Sequence, residues 1–166
     1  MRLREYSKIE TLILDVDGVL TTGQMGYTKD GKLFKVFGPH DREGLKMISW
    51  YIPNIRFITA DKSGFEISYA RIVKDWGYSP ELLILVSEEN RMKWFNDNVD
   101  FTRTAYIADG YSDAEILEKV AVGIAPASAR IEARNSAKYV TSSKAAEGAV
   151  FDACIYLRNL IDDEPV

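Results

Sequence analysis

Short apolar runs alternating with stretches of helical spacing constrain this chain more than any other feature. Runs at 11–16, 55–59, 82–86, 104–108 and 121–124 are hydrophobic on both faces, and a weaker sixth lies at 138–141. Such runs are typical of parallel strands covered on both sides. Between them, segments 44–51, 65–76, 91–99, 113–120, 128–136 and 148–161 carry helical spacing. In 65–76, for example, Phe65, Ile67, Tyr69, Ile72, Val73 and Trp76 fall mostly on one side. Strand–helix alternation predicts a doubly wound, Rossmann-like α/β fold: a parallel sheet with helices on both faces.

One segment breaks the alternation. Residues 22–37 hold two strand-like runs around Lys29-Asp30-Gly31. Asp-Gly between such runs is a strong short-range hairpin signal, so a β-hairpin is expected just after the first strand. Its apolar residues (Met25, Tyr27, Leu33, Phe34, Val36 and Phe37) exceed what a lone exposed hairpin should carry, which points to an interface.

The 166 residues suit one domain, 1–166, with no linker, repeat or low-complexity tract. The formal charge of −4 speaks against nucleic acid as the main partner, which normally shows as a basic patch. The single cysteine, Cys154, permits no intrachain disulfide and sits in an apolar helical context that reads as inert core. The charged stretch 1–8 lacks the apolar run of a signal peptide, and no stretch approaches the length of a membrane span. A cytoplasmic protein with no membrane partner is the expectation.

In an open α/β sheet, ligands bind beyond the carboxyl ends of the strands. The first strand ends in Asp15-Val16-Asp17-Gly18, and strand alternation would put Asp15 and Asp17 on one face. Close carboxylates repel unless a cation or shared proton intervenes, and oxygen ligands of this kind suit Mg²⁺. The second strand ends in Thr59-Ala60-Asp61-Lys62-Ser63. There a hydroxyl could serve a phosphoryl oxygen, or Thr59, Asp61 or Ser63 could simply cap the next helix. The fourth ends in Asp109-Gly110-Tyr111-Ser112-Asp113, where Asp113 could also be a cap. Four acids converging on one edge would be costly without a metal.

Asp15-Val16-Asp17-Gly18-Val19-Leu20 resembles the first motif of the haloacid dehalogenase superfamily, Thr59 its second, and Asp109 with Asp113 its fourth. Order, spacing and strand context agree over nearly the whole chain. A closer resemblance is to the 3-deoxy-D-manno-octulosonate 8-phosphate phosphatase group. It rests on Asp17-Gly18-Val19-Leu20, the hairpin, Phe37-Gly38-Pro39-His40-Asp41, and the tract from Tyr139-Val140-Thr141 to Glu147-Gly148-Ala149-Val150. Three departures fall where substrate would be held. Thr-Gly-Arg becomes Thr59-Ala60-Asp61, Gly before the fourth-motif acid becomes Ala108, and Arg-Asp-Gly becomes His40-Asp41-Arg42-Glu43-Gly44.

The resemblance implies a Mg²⁺-dependent phosphatase in which Asp15 is the nucleophile, Asp17 the proton shuttle and Asp15, Asp17 and Asp109 the metal ligands, with Asp113 behind them. The implied substrate is a phosphorylated sugar or sugar acid, such as 3-deoxy-D-manno-octulosonate 8-phosphate or a nine-carbon relative. Thr59 and Ala60 would face the phosphate, and His40 and Asp41 are candidate substrate contacts. For the third-motif cation, helical register favours Arg91, while Lys93 offers a compact point charge; Lys93 is preferred, with Arg91 close behind. Larger members carry a cap domain, for which no segment here has room. The resembling group closes its open cleft by forming a tetramer with the hairpins packed centrally, so a homotetramer is implied. The alternatives are a non-catalytic oligomerisation or regulatory module of the same fold, and a phosphatase for a macromolecular substrate.

Overall fold

The computed structural model describes residues 9–162; the N-terminal stretch 1–8 lies outside them. Strand β1 (Thr11–Asp15) is followed by a tight turn, Val16–Leu20, and by the hairpin strands β2 (Thr21–Thr28) and β3 (Gly31–Phe37). Then come α1 (Asp41–Ile48), β4 (Asn54–Thr59) and α2 (Phe65–Tyr69), which widens into a π-type turn at Ala70–Asp75. Next are β5 (Leu83–Leu85), α3 (Glu88–Asn98), β6 (Thr104–Ile107) and α4 (Ala114–Lys119). The chain ends with β7 (Val122–Ala125), α5 (Ile131–Ser136), β8 (Tyr139–Val140) and α6 (Ala149–Ile161).

The six strands outside the hairpin form one parallel sheet in the order β5-β4-β1-β6-β7-β8. After β1 the chain builds one flank, β4 and β5, and then crosses to build β6, β7 and β8 on the other. The switch point therefore lies between β1 and β6, where ligands of such sheets bind. In register, Leu14 of β1 stands beside Phe57 of β4 and Ile107 of β6.

Both faces of the sheet are buried, which explains the unbroken apolar runs. Leu12 and Leu14 enter one core with Phe57, Ile107, Leu45 and Ile48 of α1, Ile72, and Val150, Ala153 and Leu157 of α6. Ile13 enters the other with Ile58, Phe95 of α3, Tyr106, Ile116 and Leu117 of α4, and Ala133 of α5. The period of two in β1 thus sends Asp15, two residues after Ile13, to the side covered by α3. Cys154 is buried in the first core.

Two helices start earlier than their apolar spacing indicates. Helix α1 begins at Asp41 rather than Gly44, and α3 at Glu88 rather than Arg91. In both, the added turn is polar and acidic: Asp41 and Glu43 in one, Glu88 and Glu89 in the other. Acids there favour a helix N-terminus electrostatically. In the hairpin the two turn residues are Lys29 and Asp30, and Gly31 follows as the first residue of β3. Between Leu20 and β4 the chain holds only the hairpin and α1, so no cap is inserted there. Among the described residues no helix is long and apolar enough to cross a membrane.

Candidate active site

The carboxyl ends of β1 and β6 open into a cavity of about 640 Å³, lined by Asp15, Asp17, Ala60, Asp61, Arg91, Asp109 and Asp113 among others. Asp15 ends β1, and its Oδ1 accepts the Val16 N–H at 3.0 Å. The chain then turns away, so Asp17 (φ −83°, ψ 117°) lies in the turn rather than on the strand. Strand alternation is therefore not what brings Asp15 and Asp17 into one cavity; the turn does. Gly18 makes that turn possible twice over. Its φ of 85° favours glycine, and a Cβ there would stand 2.0 Å from Asp109 Oδ2. The Thr21 hydroxyl pins the turn, accepting from the N–H groups of Gly18 (3.2 Å) and Gly23 (3.1 Å).

Thr59 is fully buried at the end of β4. Its hydroxyl donates to Asp17 Oδ2 at 2.7 Å, so it orients that carboxylate rather than standing free for a phosphoryl oxygen as the sequence suggested. Its oxygen also accepts the Asp61 N–H at 3.1 Å. Asp61 has two jobs. Oδ1 accepts from the Ser63 hydroxyl and from the Gly64 N–H at the start of α2, while Oδ2 pairs with Lys32 and Lys35 of the hairpin. Asp61 thus serves the start of α2 through one oxygen and the hairpin lysines through the other.

Of the two candidate cations, Arg91 faces the acid cluster and Lys93 does not. Arg91 is 3% exposed and lies 2.9 Å from Asp113 Oδ1 and 3.4 Å from Asp15 Oδ2. Lys93 is two positions on, which rotates it to the outer face of α3. There it is 76% exposed, pairs with Asp97, and lines a separate cavity of about 530 Å³ between β5 and α3. His40 is exposed at the start of α1, and Asp41 is buried beneath it. Neither lines the strand-end cavity, because α1 carries them away from it; Ala60 does line it.

Asp113 already has its partners. Oδ1 accepts from the Tyr106 hydroxyl at 2.7 Å and from Arg91, and Oδ2 accepts from the Gly110 N–H at 3.2 Å. Burial and the neighbouring acids act on the others. Burial raises the Asp15 pKa well above the usual range; Arg91 opposes this, and the charges of Asp113, Asp109 and Asp17 add to it. Burial, helped by the Asp113 charge, lifts Asp109 to about 6. Arg91 is held firmly protonated: burial works against its charge, and Tyr106, Asp15 and Asp113 outweigh it.

Oxygens of Asp15, Asp109 and Asp113 lie within 4.8 Å of one another. Arg91 supplies one positive charge against three buried or half-buried acids, so the cluster lacks positive charge. An all-oxygen donor set of this kind fits Mg²⁺. Asp113 is the least available of the three, since Tyr106, Arg91 and Gly110 occupy its oxygens.

Lys35, Lys32 and Tyr106 were not read from the sequence as site residues. Lys35 is buried, with its ammonium 2.7 Å from Asp17 Oδ1. The one sequence signal for it is a lysine in the middle of the apolar run Leu33-Phe34-Lys35-Val36-Phe37.

No family model matches the chain. It is 29% identical over 158 residues to a 3-deoxy-D-manno-octulosonate 8-phosphate phosphatase of Salmonella typhi, covering 92% of this chain and 80% of the relative. Among solved structures, a putative phosphatase of the same name from Vibrio cholerae superposes with a TM-score of 0.82 at 29% identity, covering 99% of this chain and 91% of that one. The Moraxella catarrhalis phosphatase of that name has a TM-score of 0.80 at 23% identity, covering 97% of this chain and 92% of that one. It was crystallised with magnesium, phosphate and 3-deoxy-D-manno-octulosonate. With the acids gathered at the β1–β6 switch point and Arg91 beside them, the chain is similar in sequence and fold to a class of proteins, the haloacid dehalogenase-type phosphatases, which are phosphoric monoester hydrolases. Within that class, the chain resembles the 3-deoxy-D-manno-octulosonate 8-phosphate phosphatase group.

Proposed function

We propose that this protein hydrolyses the phosphate ester of a sugar acid, 3-deoxy-D-manno-octulosonate 8-phosphate or a nine-carbon relative, through an aspartyl-phosphate on Asp15. The observation that carries the reading is the position of Asp15: at the end of the central strand, facing the cavity, with Arg91 at 3.4 Å and a cluster of acids beside it.

An Asp15 carboxylate oxygen attacks phosphorus in line, and the ester P–O bond breaks. Asp17 gives its proton to the departing alkoxide. It then takes a proton from the water that attacks the aspartyl-phosphate, and the Asp15 O–P bond breaks to release inorganic phosphate. Thr59 orients Asp17 through Oδ2. Arg91 faces the Asp15 side of the cavity and would stabilise phosphoryl oxygens, since phosphoryl transfer depends chiefly on positioning and charge. Carboxylate oxygens of Asp15 and Asp109 and the backbone carbonyl of Asp17 would hold Mg²⁺, with Asp113 behind them. When bound, the ion neutralises charge shared by the acids and the phosphate.

The cleft has no cap, and an open, wet cleft is a poor place for electrostatic catalysis. The hairpin offers a remedy. Met25, Tyr27, Leu33, Phe34 and Val36 are 39–65% exposed, an apolar content concentrated on the hairpin, with Met25 and Tyr27 also lining the cleft. A ring-like homotetramer with these hairpins packed centrally would cover these side chains and bring a neighbouring subunit toward each cleft. Light scattering at micromolar concentration should give four chains; a monomer would contradict this part of the reading. A cytoplasmic location fits the single buried cysteine.

The test is phosphate release over a panel of phosphorylated sugars that includes eight- and nine-carbon sugar acids, with Mg²⁺ and with chelator. Turnover should require Mg²⁺ and favour sugar acids. Asp15→Asn should lose it while its circular dichroism stays native; substantial Mg²⁺-dependent turnover by that variant would sink the proposal.

A further inference from the structure

The hairpin reaches into the active site through one buried side chain. The Lys35 ammonium forms ion pairs with Asp17 Oδ1 at 2.7 Å and Asp61 Oδ2 at 2.9 Å and donates a hydrogen bond to the Ser68 hydroxyl at 3.0 Å. The side chain is 1% exposed and does not line the cavity, so it acts there through Asp17 and Asp61, which do. Asp17 is gripped on both oxygens, by Lys35 on Oδ1 and by Thr59 on Oδ2.

Two further features are built around this contact. Asp61 stands where the resembling group carries an arginine, and its Oδ2 is taken by Lys35 together with Lys32. Burial acts to raise the Asp61 pKa, but the bonds from Lys32 and Lys35 outweigh it and hold the group well below the carboxylate range. The other feature is Gly64. A Cβ there would stand 2.6 Å from Lys35 Cε and 2.2 Å from Asp61 Oδ2, so only glycine leaves the lysine stem room beside its partner. The hairpin thus places positive charge beside Asp61.

We infer that Lys35, anchored by Asp61 and Ser68 and given room by Gly64, is the positioning residue for Asp17. This rests on the reading of Asp17 as proton donor to the leaving group. A carboxyl held on one oxygen by Thr59 alone can rotate, and a misplacement of about 1 Å costs on the order of 100-fold in rate.

The test is leaving-group dependence, since kcat/KM reports the steps up to the departure of the alcohol. An alkyl phosphate ester needs its leaving oxygen protonated; p-nitrophenolate leaves without help. Lys35→Met and Gly64→Ala are compared with the wild-type chain on a sugar phosphate and on p-nitrophenyl phosphate, each with Mg²⁺. Both variants should lose on the order of 100-fold in kcat/KM on the sugar phosphate and less than about tenfold on p-nitrophenyl phosphate. Lys35→Arg should recover part of the sugar-phosphate rate. Equal losses on the two substrates, or none, would overturn the proposal. If Lys35→Met does not fold, Gly64→Ala, which keeps every charge, decides by the same comparison. A wild-type chain inactive on both substrates would overturn the phosphatase reading itself, and this inference with it.

Discussion

The strand-end edge of the sheet and the hairpin contribute opposite charges to one site. The edge brings acids: Asp15 from β1, and Asp109 and Asp113 beyond β6. The cations come from outside the sheet, Arg91 from α3 and Lys32 and Lys35 from the hairpin. The two regions are also built differently. In β1, Leu12, Ile13 and Leu14 have no exposed surface, so the position of Asp15 is fixed by two packed cores. The hairpin buries Lys35 and leaves Met25, Tyr27, Leu33, Phe34 and Val36 exposed. A rigid sheet fixes where Asp15 stands, and the charges that balance it are delivered by elements docked on that sheet.

The comparison can be broken first at its strongest contact. Arg91→Met should reduce kcat/KM on the order of 10²–10³-fold, because a preorganised cation at the phosphoryl group is removed. It should also lower the melting temperature, since Asp15 and Asp113 lose their buried partner. Steady-state kinetics and calorimetry read the two effects; activity within about threefold of wild type would return the third-motif role to another residue.

On the hairpin side, Leu33→Asp with Phe34→Asp should break the proposed tetramer into smaller species by light scattering. The sheet core is untouched by these changes, so the circular dichroism spectrum should stay native. An unchanged mass would remove the hairpin from the interface.

A milder effect separates the helix layer from the site. Asp41 is fully buried, and neither of its oxygens has a hydrogen-bond partner. Burial lifts its pKa to about 7, with Arg71 opposing. The folded state therefore holds a proton that the unfolded chain releases near pH 4, so stability falls as pH rises from about 4 to 7. Asp41→Asn should raise the melting temperature at pH 8 by about 3–8 °C and leave it nearly unchanged at pH 4. Equal shifts at both pH values would show that the charge of Asp41 is not what matters. Smallest of all, Lys93→Ala should leave kcat/KM within about twofold, as expected of an exposed i,i+4 pair.

Much of this was legible in the chain. The parallel sheet followed from apolar runs buried on both faces, and the acids followed from their places at strand ends. Arg91 and Lys93 were harder to separate because both lie in the same helical turn; burial on the sheet decides between them, and Phe95, one turn on, shares the buried face of Arg91. Asp17 was put on the strand because alternation says nothing of where a strand stops, and Gly18 turns the chain sooner. His40 and Asp41 were drawn toward substrate by resemblance, whereas α1 begins with them and takes them to another part of the molecule. Lys35 was missed because its partners, Asp17, Asp61 and Ser68, come from three other elements, and no local period reports such a meeting.

Asp15, the proposed nucleophile, should become phosphorylated during turnover. Wild-type protein mixed with a substrate it turns over and Mg²⁺, then quenched in acid within its first turnovers, should yield a peptide heavier by about 80 Da at Asp15, the mass of one phosphoryl group. The adduct should disappear as substrate is exhausted and should be absent from Asp15→Asn. Phosphate release with no adduct at any quench time, or an adduct on a different residue, would contradict the account.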